Sequence, residues 1–187
     1  GCQAEAIRNL FLIIGLTHSE IPVPIEALYT ENRKLIDKEC NRYFFINNPE
    51  KIKIKNAPKL KVEVQLHPDF PKRGYREFDT ADEFYIQDKL EKVKMYRFMH
   101  LFNFKDSKFV SKKMDKNLDA KLIHWLPVSK GLVKIEILMD DGRAIKGIGE
   151  GSLNNVKVGE VVQFERFAFC KLDKKEKGKL IFWFTHK

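Results

Sequence analysis

The sequence predicts a mainly β protein, two β-barrels preceded by a small α-helical subdomain. Three observations predict it. Apolar residues recur at three- and four-residue steps only in residues 1–41. From Arg42 onward, aromatic and β-branched residues come in short runs separated by turn residues. Those runs are too many for one small barrel.

The helical part reads from Ala4, Ile7, Leu10, Phe11 and Ile14, with Gly15 as a stop. Pro22 and Pro24 break the chain, and Pro24 suits the first turn of a second helix. Ile25, Leu28, Tyr29, Leu35, Ile36 and Cys40 carry an apolar stripe to about Asn41, and both stripes read as core packing without chemistry. Strands are then expected at 42–46, 51–55, 59–65, 83–86, 94–103, 108–111, 120–125, 132–139, 143–148, 160–171 and 179–184. Asp141-Gly142 marks a hairpin, Asn154-Asn155 and Gly159 a second turn, and residues 173–178 an exposed loop tip. A soft divide near Asn117–Asp119 gives three regions: helical 1–41, a first barrel 42–119 and a second 120–187, with strand exchange between the barrels possible.

Bulk composition narrows the function classes. The 187 residues carry 35 Lys plus Arg against 26 Asp plus Glu, a net charge of +9. Such a balance suits an anionic partner, nucleic acid first, or else a lysine-rich solvated surface. Cys2, Cys40 and Cys170 form no CxxC pair, which argues against zinc and for a reduced, cytoplasmic setting. His18, His67, His100, His124 and His186 show no metal-ligand spacing and read as surface or structural histidines. The longest apolar run, Leu10 to Leu16, is too short to span a bilayer, and no signal peptide pattern appears. Gly1 in place of an initiator Met reads as a piece cut from a longer protein.

Three segments carry candidate chemistry. Val161 to Phe169 reads as a strand holding Gln163 and Arg166, fork-shaped hydrogen-bonding side chains suited to the edges of unpaired bases. A regular strand would aim those two at opposite faces, so both reach one ligand only near a bulge or strand end. Lys51-Ile52-Lys53-Ile54-Lys55 is either a phosphate-facing stripe or a half-buried strand with a lysine-protected face; the second reading is slightly preferred. His67 to Arg76 is a stiff loop with Pro68, Pro71 and Gly74, carrying Lys72, Arg73 and Arg76 either toward RNA or into internal ion pairs.

Taken in order, these segments resemble the C-terminal part of class I glutamyl- or glutaminyl-tRNA synthetases. Asn41 to Lys51 resembles that family's N-R-x-x-x-V-x-D-P-x-K segment, with Asn48 in place of the acidic residue. His67 to Arg76 resembles its H-P-x-x-P-x-x-G-x-R loop, Ile123 to Leu126 its I-H-W-V strand, and Gln163-Phe164-Glu165-Arg166 its Q-F-E-R strand. Tyr96 to Phe104 resembles the R-L-x-x-L-F-N-F segment of the archaeal glutamyl type, and Met99 stands where glutaminyl members tend to carry a second arginine. The resemblance implies anticodon-binding barrels that splay out loop bases, with contacts at Arg42, Gln163 and Arg166 and more weakly at Arg97 and Lys89. It implies a parent glutamate–tRNA ligase, cytoplasmic and monomeric, that uses ATP with Mg²⁺ in a separate catalytic domain, and a partner tRNA that accepts glutamate.

No H-I-G-H-like or K-M-S-K-S-like signature and no Gly-rich phosphate loop occurs, so this chain is expected to be inactive alone and to hold no cofactor, catalytic residue or metal. Four alternatives stay open: a glutaminyl-tRNA synthetase region, a free-standing RNA-binding barrel, a protein-interaction module for an acidic partner, and a small enzyme with an unrecognised site.

Overall fold

The computed structural model describes residues 1–15, 22–114 and 119–187. His18 and the divide expected at Asn117 lie outside the described residues. Helix α1 runs Ala4–Ile14 and α2 runs Ile25–Ile36. Gly15 ends α1 as expected, at φ 75°, with its N–H donated to the Phe11 carbonyl. Pro24 sits one residue before α2 instead of inside its first turn. Asn32 ties the helices to the rest of the chain: its Oδ1 accepts from the Gln3 N–H at 2.8 Å, and its Nδ2 lies 2.8 Å from Nε2 of His186. α1 leaves Phe11, Leu12 and Ile13 exposed.

In the first half the strands are β1 (Arg42–Tyr43), β2 (Phe45–Asn47), β3 (Glu50–Lys53), β4 (Leu60–Gln65), β5 (Tyr75–Thr80), β6 (Glu83–Ile86), β7 (Met95–Phe98), β8 (Asn103–Lys105) and β9 (Lys108–Ser111). Then follow β10 (Ala120–Ile123), β11 (Leu126–Pro127), β12 (Val133–Leu138), β13 (Ala144–Gly149), β14 (Val161–Phe164), β15 (Ala168–Glu176) and β16 (Lys179–His186). A seven-stranded sheet has the order β1-β14-β15-β16-β12-β13-β2. Its two edge strands, β1 and β2, are separated in the chain by Phe44 alone. The sheet therefore curls until its edges meet, which is how a barrel disposes of exposed edges. Three smaller sheets, β10-β7-β8-β9, β11-β6-β3 and β4-β5, surround a second core.

Segment 42–47 is the seam between the two cores. Strand alternation sends Tyr43 and Phe45 into the core of Ile137, Phe164 and Phe182. It sends Phe44 and Ile46 into the core of Phe84, Phe98 and Trp125. β10 and β11, beyond residue 119, hydrogen-bond to β7 and β6 of the first half, so strands cross the expected regional boundary in both directions.

Several expected strands take a different form. The run 42–46 breaks at Phe44, whose N–H donates to the Glu150 carboxylate at 2.9 Å instead of to a ladder. The run 94–103 folds into a tight turn after Phe98, with His100 at φ 59° and the Phe98 N–H donated to the Phe102 carbonyl. The run 160–171 is a hairpin, not one strand: Phe164 faces Ala168 across a three-residue turn. The expected loop tip 173–178 is mostly strand, because β15 extends through Glu176 to pair with Lys179. β5 replaces the tail of the expected 67–76 loop; Arg76, Phe78 and Thr80 alternate inward while Tyr75, Glu77 and Asp79 face water. The structural reading of 51–55 holds, with Lys51 2.8 Å from Glu83 and Lys53 3.0 Å from Asp82.

Candidate nucleic-acid interface

The site grows from one backbone pairing. β1 lies parallel to β14 with Arg42 opposite Gln163. The Gln163 N–H donates to the Asn41 carbonyl at 2.9 Å, and the Glu165 N–H to the Tyr43 carbonyl at 3.0 Å. In-register residues of neighbouring strands share a face, so this pairing sets the side chains of Arg42 and Gln163 side by side.

The turn supplies the third residue. Arg166 adopts φ 57°, a left-handed conformation a non-glycine residue takes only under constraint. That constraint is visible in two bonds. The Phe167 N–H closes the turn on the Phe164 carbonyl at 2.9 Å, and Arg166 Nη1 donates to the Leu122 carbonyl at 2.6 Å. Gln163 and Arg166 consequently line one cleft of about 240 Å³. A continuous strand would have placed them on opposite faces; the turn is what brings them together.

Arg42 lines an adjacent cavity of about 470 Å³ with Gln65, Tyr75, His100 and Glu165. Its side chain is a quarter exposed and its Nη2 lies 3.5 Å from Asp37, one long ion pair for a group with five donors. Gln65, Tyr75 and His100 were missed by sequence reasoning. Tyr75 lies within the 67–76 segment and His100 within the Tyr96–Phe104 segment, but neither reads as a contact by sequence; Gln65 and Tyr75 come from β4 and β5, whose approach to Arg42 no local pattern encodes.

Behind Glu165, which lines the Arg42 cavity, sits Arg76. Its guanidinium bonds Glu150 at 3.0 Å and Glu165, and lies 4.5 Å over the Phe44 ring. Glu150 also accepts from the Phe44 N–H at 2.9 Å and from Ser152 Oγ at 2.5 Å. Burial pushes the Glu150 carboxyl above its ordinary value, and Arg76 opposes that rise. Of the two readings for the 67–76 cations, internal pairing describes Arg76. Arg73 is half-buried and donates to the Lys38 and Glu39 carbonyls near the surface.

Polar atoms without a partner gather here. Six buried side-chain atoms of the described residues have no hydrogen bond, and three are Asn41 Oδ1, Arg42 Nε and Gln163 Oε1. A fourth, Nε2 of His124, belongs to a ring whose pKa burial and nearby Arg166 drive down to about 4. Such buried groups cost roughly 1–3 kcal/mol each when unpaired, which marks this segment as the polar part of an otherwise apolar seam.

The two weaker residues lie apart. Arg97 Nη1 donates to Asn103 Oδ1 at 2.9 Å and to the Lys112 and Lys113 carbonyls at 3.3 and 3.4 Å, and desolvation lowers its pKa. It is one strand from the site, opposite Leu122, whose carbonyl holds Arg166. Lys89 is exposed between β6 and β7 and lines neither cavity. The aromatic residues considered for stacking are core members: Tyr96 and Phe98 are buried, and Phe167 packs edge-on against Phe45. Among the described residues no group of three or more His, Cys, Asp or Glu gathers as a metal site, and no helix is long and apolar enough to cross a membrane.

Residues 40–124 and 122–173 match two family models, each described as the anti-codon binding domain of class I (E and Q) tRNA synthetases. Similar curated proteins include the glutamate–tRNA ligase of Methanocaldococcus jannaschii, 37% identical over 198 residues, covering 100% of this chain and 36% of that protein. That of Methanococcus maripaludis strain C6 is 35% identical, with the same coverage of both chains. That of Pyrococcus furiosus is 36% identical over 206 residues, covering 100% of this chain and 35% of its own. The chain thus spans about a third of the length of the curated relatives it matches.

Proposed function

The chain belongs to the anti-codon binding domain family of class I (E and Q) tRNA synthetases, and from that premise we propose that it reads the anticodon loop of a glutamate-accepting tRNA. It does so as the C-terminal region of a glutamate–tRNA ligase, the printed name of the relatives cited above. The parent attaches glutamate to tRNA with ATP and Mg²⁺ in a separate catalytic domain, acts in the cytoplasm and is monomeric. The chain divides into a helical region 1–41 and two barrel regions, 42–119 and 120–187, that exchange strands.

In this reading Arg42, Gln163 and Arg166 meet unstacked bases. The Gln163 amide accepts with Oε1 and donates with Nε2, so it pairs with a base edge carrying both functions. The guanidinium groups donate to base carbonyls or ring nitrogens. Arg97 and Lys89 are outer contacts to the loop backbone. The observation that carries the proposal is the convergence of unpartnered polar atoms on Asn41, Arg42 and Gln163, the adjoining positions of two paired strands.

Filter binding to a glutamate tRNA and to the same tRNA with a swapped anticodon tests it. The native anticodon binds more tightly, and Arg166→Ala reduces that preference by roughly 1–3 kcal/mol, the scale of one bidentate base contact. Equal affinity for both tRNAs overturns the proposal.

A further inference from the structure

Arg33, in the last turn of α2, lies outside the apolar stripe that the sequence reads as core packing. Its side chain is on the surface, 5.7 Å over the Phe169 ring, and it makes no ion pair or side-chain hydrogen bond among the described residues. It lines the cleft of Gln163 and Arg166, together with Lys187.

That cleft differs in charge from four other cavities of the described residues. Glu77, Asp79 and Glu150 line the cavity beside β5; Glu5, Glu39 and Glu160 line the one between the helices and β14. Glu63 and Glu165 line the Arg42 cavity, and Glu91 and Asp106 the one near Tyr96. The cleft of Gln163 has three cationic side chains, Arg33, Arg166 and Lys187, and no acidic side chain. A cavity with that lining concentrates positive potential and selects an anion. Its Gln163 Oε1 is an acceptor and repels one, so cations and amide call for different parts of a single ligand.

We propose that Arg33 and Lys187 form a phosphate site for the RNA backbone, next to the bases that Gln163 and Arg166 meet. The inference rests on the anticodon-loop reading above and deepens it: the helical region contributes directly to the RNA groove. Arg33 is suited to the role because its guanidinium lies 5.7 Å from the centre of the Phe169 ring and makes no ion pair or side-chain hydrogen bond among the described residues. A phosphate contact carries no sequence information, whereas a base contact does. The two are therefore separable in one experiment.

The full chain and its Arg33→Ala and Arg33→Lys variants are titrated with native and anticodon-swapped tRNA over a range of salt concentrations, with thermal melts confirming the fold. Arg33→Ala weakens binding of both tRNAs by the same factor. It also flattens the slope of log K against log salt by roughly 0.7, the value for one single-strand phosphate. Arg33→Lys keeps the slope. An unchanged slope and affinity in a folded Arg33→Ala protein overturns the site, as does a loss confined to the native anticodon, which would make Arg33 a base reader. If wild type fails to discriminate the two tRNAs but Arg33→Ala still flattens the slope, the phosphate site stands and the anticodon reading falls.

Discussion

Arg76 shows what a single buried charge does in this chain. Its side chain is 1% exposed, and two carboxylates and an aromatic face replace the water it gives up. Arg76→Met removes that compensation and leaves Glu150 and Glu165 facing each other, so we expect a loss of roughly 3–5 kcal/mol, read from urea unfolding. Glu165→Gln keeps the shape and one hydrogen bond and costs less. The choice between RNA contact and internal pairing for this arginine was visible in the sequence as a choice; only the approach of residues 74 and 89 positions away decided it. His124 gives a second test at this scale. The unfolded chain protonates this ring below pH 6.5, the folded chain only below about 4, because burial and then Arg166 oppose the charge, with Asp88 partly offsetting them and Arg76 and His100 adding to them. Its contribution to stability is complete above pH 6.5 and is lost as pH falls toward 4, by about 3 kcal/mol. Comparing unfolding midpoints of wild type and His124→Asn at pH 7 and pH 5 isolates this ring from the carboxylates that titrate alongside it.

At the scale of elements, turns decide what strands can present. Alternation placed a strand within one residue of the start of β1, β3, β4, β6, β7, β9, β10, β12, β13, β14 and β16, since period-two patterning is local. It could not mark the reversals at Arg166 and His100, because neither turn carries the glycine that usually announces one. Those reversals are imposed from outside, at Arg166 by the Leu122 carbonyl and by Arg76 holding the preceding Glu165. β5 was missed for a related reason: its outward residues are as polar as a loop's, and its partner strand β4 is the only thing that makes it a strand. Closure of the seven-stranded sheet depends on another contact invisible in sequence. A Cβ on Gly147 of β13 would collide with the Ile46 carbonyl of β2 and the Phe45 ring. Gly147→Ala must push the edge strand away, and we expect a loss of roughly 1–3 kcal/mol in thermal or chemical unfolding. Since β2 continues directly into β1, the same variant should also weaken anticodon discrimination, whereas Gly131→Ala, where a Cβ meets open space, should leave both intact.

For the whole molecule, the two cores share one seam, and this makes the regional boundary at residue 119 different from a joint between separable units. Residues 42–47 give alternate side chains to each core and provide both edges of the seven-stranded sheet. β10 and β11 run the other way, completing the sheets of β7 and β6. Glu150 and Glu165 of the second half hold Arg76 of the first. A protein holding only residues 120–187 would lack both closing strands, leave β10 and β11 without partners, and bury two carboxylates with no cation. It should be unfolded or aggregated, with weak amide-proton protection throughout, while the full chain should unfold in one transition followed equally by Trp125 in one core and Trp183 on β16. Two separated transitions, or a well-protected 120–187 piece, would show that the seam carries little. The position of the reading site follows from the same arrangement. Arg42 stands at the seam, Gln163 on the strand beside it, and Arg166 on a turn tied to β10. On the proposed reading, distinguishing bases requires these three groups at fixed separations, and the elements that fix them come from both halves, so discrimination should disappear along with the cooperative transition and not before it.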